Sequence, residues 1–123
     1  MSTTGAKFRF KEDARTLFES AVEGKKTVET RAAEPKYLGI KKGDKIVLVC
    51  GKSHFSTSVT KISRFKDAKS LLKAYPVKRI NPFLKSAKEL EAMYYSYPNY
   101  KEIIRKYGMI AFELEKRSKK QIK

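Results

Sequence analysis

Apolar positions along the chain switch between a period of two and a period of three to four. In Lys7-Phe8-Arg9-Phe10 charged and apolar residues alternate, which predicts a short strand with both phenylalanines on one face. From Glu12 to Glu23 the residues Ala14, Leu17, Phe18, Ala21 and Val22 recur at helical spacing. Acids in the first turn and Gly24 after the last complete an amphipathic helix. Thr27 to Arg31 is β-branched and alternates again, so it predicts a strand with Thr27, Glu29 and Arg31 on one face. Pro35, Gly39 and Gly43-Asp44 punctuate a loop, and Ile46 to Cys50 is an apolar run with the length of a central strand.

The second half repeats the alternation of strand and helix. Phe55 to Phe65 favours extended structure with uneven apolar spacing, the mark of a bulge or sharp bend. Asp67 is placed to cap a short helix through Leu71-Leu72, and Ser86-Ala87-Lys88-Glu89 is a capping box for a second, with Leu90, Met93, Tyr94 and Tyr97 as its core stripe. Pro98, Tyr100, Ile103, Ile104, Tyr107 and Gly108 outline a third helix, and Met109 to Glu115 a closing strand with Ile110, Phe112 and Leu114 on one face. The expected class is therefore α+β: a small bent sheet of five or six strands, closed into a β-barrel to remove its edges, with flanking helices. Residues 7–115 form the domain. Residues 1–6 are expected to be a flexible N-terminus, and 116–123, with five basic residues in eight, a disordered basic tail.

Length and charge narrow the function. A chain of 123 residues suits one domain, and 29 Lys plus Arg against 13 Asp plus Glu give a formal charge of +16. No window approaches ~18 consecutive apolar residues, and neither a secretory leader, a basic amphipathic helix nor a lipidation signal is evident, so a membrane partner is not expected. A cytoplasmic monomer that binds nucleic acid, most readily RNA, is the expectation. One cysteine, Cys50, and one histidine, His54, fall short of a structural zinc site, and no metal or cofactor is expected.

Gly24-Lys25-Lys26-Thr27-Val28-Glu29-Thr30-Arg31 resembles the G-x-K-x-x-E-x-R signature of the activating-signal-cointegrator homology (ASCH) domain, matching at Gly24, Lys26, Glu29 and Arg31. The turn Gly39 to Ile46 is similar to the family's second signature, and Tyr107 to Leu114 to its closing strand. The resemblance implies a barrel related to the RNA-binding PUA fold. It also implies a polar cluster of Lys26, Glu29 and Arg31 at the barrel mouth, able to read a base edge or hold a phosphate. The bland alternative is a solvated ion pair on a strand face, worth under ~1 kcal/mol. Tyr37, in the loop after the signature strand, is the preferred stacking residue; the tyrosines on helix stripes read as core, with Tyr95 off the stripe. Between Lys61 and Lys85 eight basic residues face one acid, Asp67, and Lys61, Arg64, Lys66, Lys78 and Arg79 are the expected contacts to an RNA backbone.

Two functions compete. One is a binding module that takes an unpaired nucleotide at the barrel mouth. The other is a small metal-independent hydrolase, a ribonuclease or a modified-cytidine amidohydrolase, since the family includes such enzymes. In the amidohydrolases a threonine nucleophile stands where this chain has Glu29, a departure that argues against that activity. RNA cleavage with Glu29 as general base and Lys26 and Arg31 as charge stabilisers is the form of catalysis left open.

Overall fold

A computed structural model describes residues 4–115. Its elements in chain order are β1 (Thr4–Phe10), α1 (Arg15–Val22), β2 (Val28–Ala32), β3 (Lys45–Cys50), β4 (Ser53–Phe65), α2 (Ala68–Ala74), α3 (Val77–Ile80), α4 (Ala87–Ser96), α5 (Tyr100–Tyr107) and β5 (Met109–Leu114), with single 3-10 turns at Glu12–Ala14 and Pro35–Tyr37. The five strands form one sheet in the order β1-β3-β4-β5-β2, parallel between β1 and β3 and antiparallel elsewhere.

The long strand β4 creates the curl. Its first half pairs with β3 through Ser58 and its second half with β5 from Val59 onward, and the register slips between Val59 and Lys61. An extra residue on one strand increases local twist, so β4 turns from one half of the sheet into the other. The bend expected between Phe55 and Phe65 lies at this slip. The expected closure does not occur: β1 and β2 remain edges, and the sheet is a strongly curled half-barrel of five strands. Side chains span the gap instead, with the Arg31 guanidinium of β2 over the Phe8 and Phe10 rings of β1 at 5.1 and 5.7 Å.

Two cores lie on the two faces of this sheet. Inside the curl, Phe8, Ile46, Leu48, Ile110 and Phe112 surround Phe18 and Ala21 of α1. On the other face Val28, Ala32, Met109 and Ala111 pack with Leu71, Ile80, Leu90, Tyr94 and Ile104 from the helices. Strand β5 serves both, which is why it reads as a near-continuous apolar run. Burying each such Leu, Ile or Phe contributes about 1.5–3 kcal/mol. Gly108, at φ +82, joins α5 to β5 beneath the Phe65 carbonyl, where any Cβ would collide.

Helix caps follow the sequence closely. Asp67 Oδ1 accepts from Ser70 N–H at 2.8 Å, and Ser86 and Glu89 complete the capping box of α4. Four expectations need correction. The first turn of the N-terminal helix is 3-10, and neither Lys11 nor Ala14, the residues at the two cap positions, supplies a side-chain cap. One turn, α3, was not foreseen, since its four residues are too few to show a period. Strand β1 begins at Thr4, so residues 4–6, expected in a flexible N-terminus, are part of the sheet. Tyr97 leaves the core stripe of α4: it precedes Pro98, takes extended ψ and is 43% exposed. The expected basic tail 116–123 lies outside the described residues.

Candidate functional site

The cleft begins where α1 ends. Gly24 adopts φ +88, and the Ser20 carbonyl accepts from the backbone N–H groups of Lys25 and Lys26, a reversal that feeds Lys26 directly into β2. The Lys26 side chain is 3% exposed and donates from Nζ to the carbonyls of Val28 at 2.9 Å and Ile80 at 2.8 Å. It therefore ties α3 to the start of β2 as well as facing Glu29. Glu29 pairs across the sheet with Phe112 and Arg31 with Ile110, so both side chains share the inner face of the curl.

The three charges form a line with the carboxylate in the middle. Glu29 Oε2 accepts from Arg31 Nε at 2.8 Å, and Oε1 lies 3.1 Å from Lys26 Nζ. The second contact is an ion pair off the hydrogen-bond direction, so Oε1 is neutralised but has no aligned donor. Burial pushes the Glu29 carboxyl up, but the two cations outweigh it and hold the group below the ordinary carboxylate value. Burial also pulls the Lys26 ammonium down, against the opposing pull of Glu29. For Arg31 the pull of Glu29 outweighs burial and keeps the guanidinium firmly charged. With all three ionised the cluster carries one net positive charge.

Above this floor is a cleft of about 410 Å³, within the size range of small-ligand sites. Leu17, Leu90 and Met93 supply apolar wall, Tyr94, Tyr97 and Tyr100 aromatic wall, and Arg9, Lys11 and Asp13 part of the rim. The tyrosines also hold β2. Tyr94 and Thr30 share a hydroxyl hydrogen bond, and Ala32 N–H donates to Tyr100 Oη at 2.7 Å, so one group of this edge strand is satisfied by a side chain. Among the donors of the cleft lining that make no hydrogen bond within the described residues are the terminal nitrogens of Arg31, which donates through Nε, and the Asn81 amide nitrogen, whose neighbouring Oδ1 accepts from Phe83 N–H at 3.0 Å.

The structure thus brings Lys26, Glu29 and Arg31 together in one cleft. Tyr37 is elsewhere: its ring stacks on Phe8 at 5.4 Å within the inner core, so its face is not free for a base. Tyr97, exposed in the cleft wall and edge-on to Tyr100, is the accessible ring, and the signal for it was the proline that follows. The basic stretch does not form one surface. Lys61 and Arg64, three apart on β4, lie on opposite faces, and Lys66 is exposed in the turn after it. Lys78 donates to the Pro82 carbonyl. Arg79 is engaged with Thr27, Glu113 and Tyr75. Asn81 was missed because an isolated asparagine beside Pro82 reads as a turn residue.

No group of His, Cys, Asp and Glu residues able to hold a metal occurs among the described residues, and no helix among them is long and apolar enough to cross a membrane. A curled mixed sheet flanked by helices, with a polar cluster at its open seam, defines a PUA-like domain. The ASCH domain family model matches residues 15–118, and the chain belongs to that family. Among solved structures it is similar to the crystal structure of hypothetical protein PH0355, at 27% identity and TM-score 0.79, covering 93% of this chain and 100% of that one. It is also similar to the solution structure of protein PF0455 from Pyrococcus furiosus, at 26% identity and TM-score 0.69, covering 92% and 97% of the two chains. No curated protein matches.

Proposed function

We propose that this ASCH domain is an RNA-binding module that holds one unpaired nucleotide in the cleft floored by Lys26, Glu29 and Arg31, with basic surface on the RNA backbone. The observation that carries this reading is the set of unspent donors on residues that line a cavity of ligand size, the Arg31 terminal nitrogens and the Asn81 amide nitrogen, with the exposed Tyr97 in the same lining. Directed donors suit the carbonyl and ring-nitrogen acceptors of a base edge or a phosphate oxygen, and an exposed tyrosine suits a base plane. The formal charge of +16 supplies the field that attracts the backbone.

The hydrolase reading is weaker for a specific reason. Glu29 lies between two cations that favour its ionised form, and a carboxylate held below its ordinary value is a poor general base at neutral pH. Amide NMR titration with nucleosides and short single-stranded RNAs tests the module. Shifts are expected around Arg31, Asn81 and Tyr97, with log affinity falling against log salt at about 0.7 per contacted phosphate. Absence of RNA binding at low salt overturns the reading. Metal-free turnover of RNA that Glu29→Gln abolishes would replace it with the enzyme.

A further inference from the structure

The half of the sheet away from the helices presents an outer face that neither core uses. Strand register sets Lys7 beside Val47 and Ser56, Arg9 beside Val49 and His54, and Lys45 beside Ser58, all opposite in direction to the core residues Phe8, Ile46 and Leu48. Lys7, Arg9, Lys45, His54 and Ser56 are exposed, and Val47 and Ser58 half-buried. None of the three cations has an acidic partner among the described residues. The sequence explains why: residues 45–66 contain no Asp or Glu, and β1 has none either.

This surface is continuous with the cleft. Arg9 lies on the edge strand β1 and also lines the cleft, while Arg31 bridges to the same strand through Phe8 and Phe10. We propose that the outer face of β1, β3 and the first half of β4 carries the phosphodiester backbone of the same RNA strand, which leaves the cleft past Arg9 and crosses the sheet. Lys7, Arg9 and Lys45 supply charge, His54, Ser56 and Ser58 supply hydrogen bonds, and the small side chains Val47 and Ser56 leave the surface low enough for a strand to lie on it. Three exposed cations without acidic partners favour a polyanion over a protein surface of mixed charge, and the lack of large exposed apolar side chains there disfavours insertion into a membrane. The proposal rests on the nucleotide-binding reading of the cleft, and the two can fail separately.

The test compares four variants of the full chain: Lys7→Gln/Arg9→Gln/Lys45→Gln, the pair Lys7→Gln/Lys45→Gln, which lies wholly outside the cleft lining, a control Lys88→Gln/Lys101→Gln/Lys106→Gln on the exposed sides of α4 and α5, and Arg31→Ala. The probes are UMP and a single-stranded oligouridine of about 12 nucleotides. The triple sheet-face variant should lose tenfold or more in oligonucleotide affinity and lower the salt slope by about 2, and Lys7→Gln/Lys45→Gln, which keeps the cleft-lining Arg9, should still weaken the oligonucleotide while binding UMP as the native protein does. The control should lose less than about threefold, because exposed charges a Debye length or more from the strand are screened. Equal losses in the two triple variants, or none in the sheet-face variant, overturn the proposal. In that case continued loss by Arg31→Ala keeps the cleft reading. Loss by the sheet-face variant with none by Arg31→Ala keeps the outer face as an RNA surface and removes the cleft from it.

Discussion

Glu29 and Glu113 stand one register step apart on the paired strands β2 and β5, on opposite faces of the sheet, and each meets an arginine that lies over aromatic rings. Their surroundings divide them. Glu29 is 5% exposed with Lys26 at 3.1 Å and Arg31 at 2.8 Å, whereas the Glu113 side chain is 21% exposed, accepts from Tyr75 Oη at 2.6 Å and has Arg79 at 3.6 Å. Arg79 spends Nε on Thr27, and none of the Tyr75, Arg79 and Glu113 group lines the cleft. Arg31, which lines the cleft, spends Nε on Glu29 and leaves its terminal nitrogens without a hydrogen bond among the described residues. The same residue types thus make a closed structural tie on one face and the floor of an open cleft on the other. What separates them is the second cation, which lets a buried carboxylate fix an arginine while net positive charge remains.

The largest expected difference is in stability. Glu29→Ala leaves two cations against the core with no counter-charge and should cost about 3–5 kcal/mol, a large share of the 5–15 kcal/mol typical of a domain. Glu113→Ala should cost about 1 kcal/mol, since the Arg79 side chain is 41% exposed and the hydroxyl of the buried Tyr75 keeps Ser63 as a partner. Urea denaturation measures both, and equal costs would break the contrast. Glu29→Gln sharpens it through pH. The folded-state pKa of Glu29 is depressed, so its stabilisation is present above the unfolded-state value of about 4.3 and lost as pH falls through the folded value. The stability difference between native protein and Glu29→Gln should be flat above about pH 5 and shrink as the solution becomes more acidic. A difference that grows in acid would contradict the assigned direction.

The tyrosines extend the comparison at smaller scale. Tyr100→Phe strands the Ala32 N–H on an edge strand and should cost about 1–3 kcal/mol, with faster hydrogen exchange at Ala32. Tyr75→Phe removes one of two partners from a half-buried carboxylate and should cost about 1 kcal/mol or less. Burial pushes the Tyr100 hydroxyl up to about 12. The native protein should therefore lose stability between the ordinary tyrosine value of about 10 and that higher pH, a loss that Tyr100→Phe blunts.

The sequence made local structure legible wherever one residue type could do only one thing. Gly24 after a helical period, the Ser86–Glu89 box and the alternation from Thr27 to Arg31 each had a single local solution, and the structure uses all three. Closure of the barrel was not legible, because it depends on whether β1 and β2 meet, and no pattern within either strand encodes that. The clustering of Lys26, Glu29 and Arg31 followed from one turn and one strand. The rest of the cleft came from α3, α4 and α5, brought to β2 by tertiary packing, so Asn81 and Tyr97 carried no local mark as cleft residues. Tyr37 shows the converse: a loop position suggested exposure, while Phe8 and Phe112, distant in sequence, drew its ring into the core.

Ligand binding gives the finest division between the two clusters. Arg31→Ala should lower affinity for a short RNA by about tenfold, equivalent to about 1.4 kcal/mol, because it removes a guanidinium that Glu29 and two phenylalanine rings hold in a cleft. Arg79→Ala removes the same charge from a side chain 41% exposed and tied to Glu113, and should change affinity by about twofold. Any single alanine change among Lys116, Arg117, Lys119, Lys120 and Lys123 should cost less than Arg31→Ala if that segment is the basic arm its composition predicts, whose charges act through a screened field. Arg31→Lys decides between charge and direction. It keeps the positive end but lacks a fork with donors to spare beyond the Glu29 bond, so it should retain little of the lost affinity if recognition is directional. Full recovery by lysine would mean that the cleft senses only charge, and the distinction drawn between the Glu29 and Glu113 clusters would reduce to their burial.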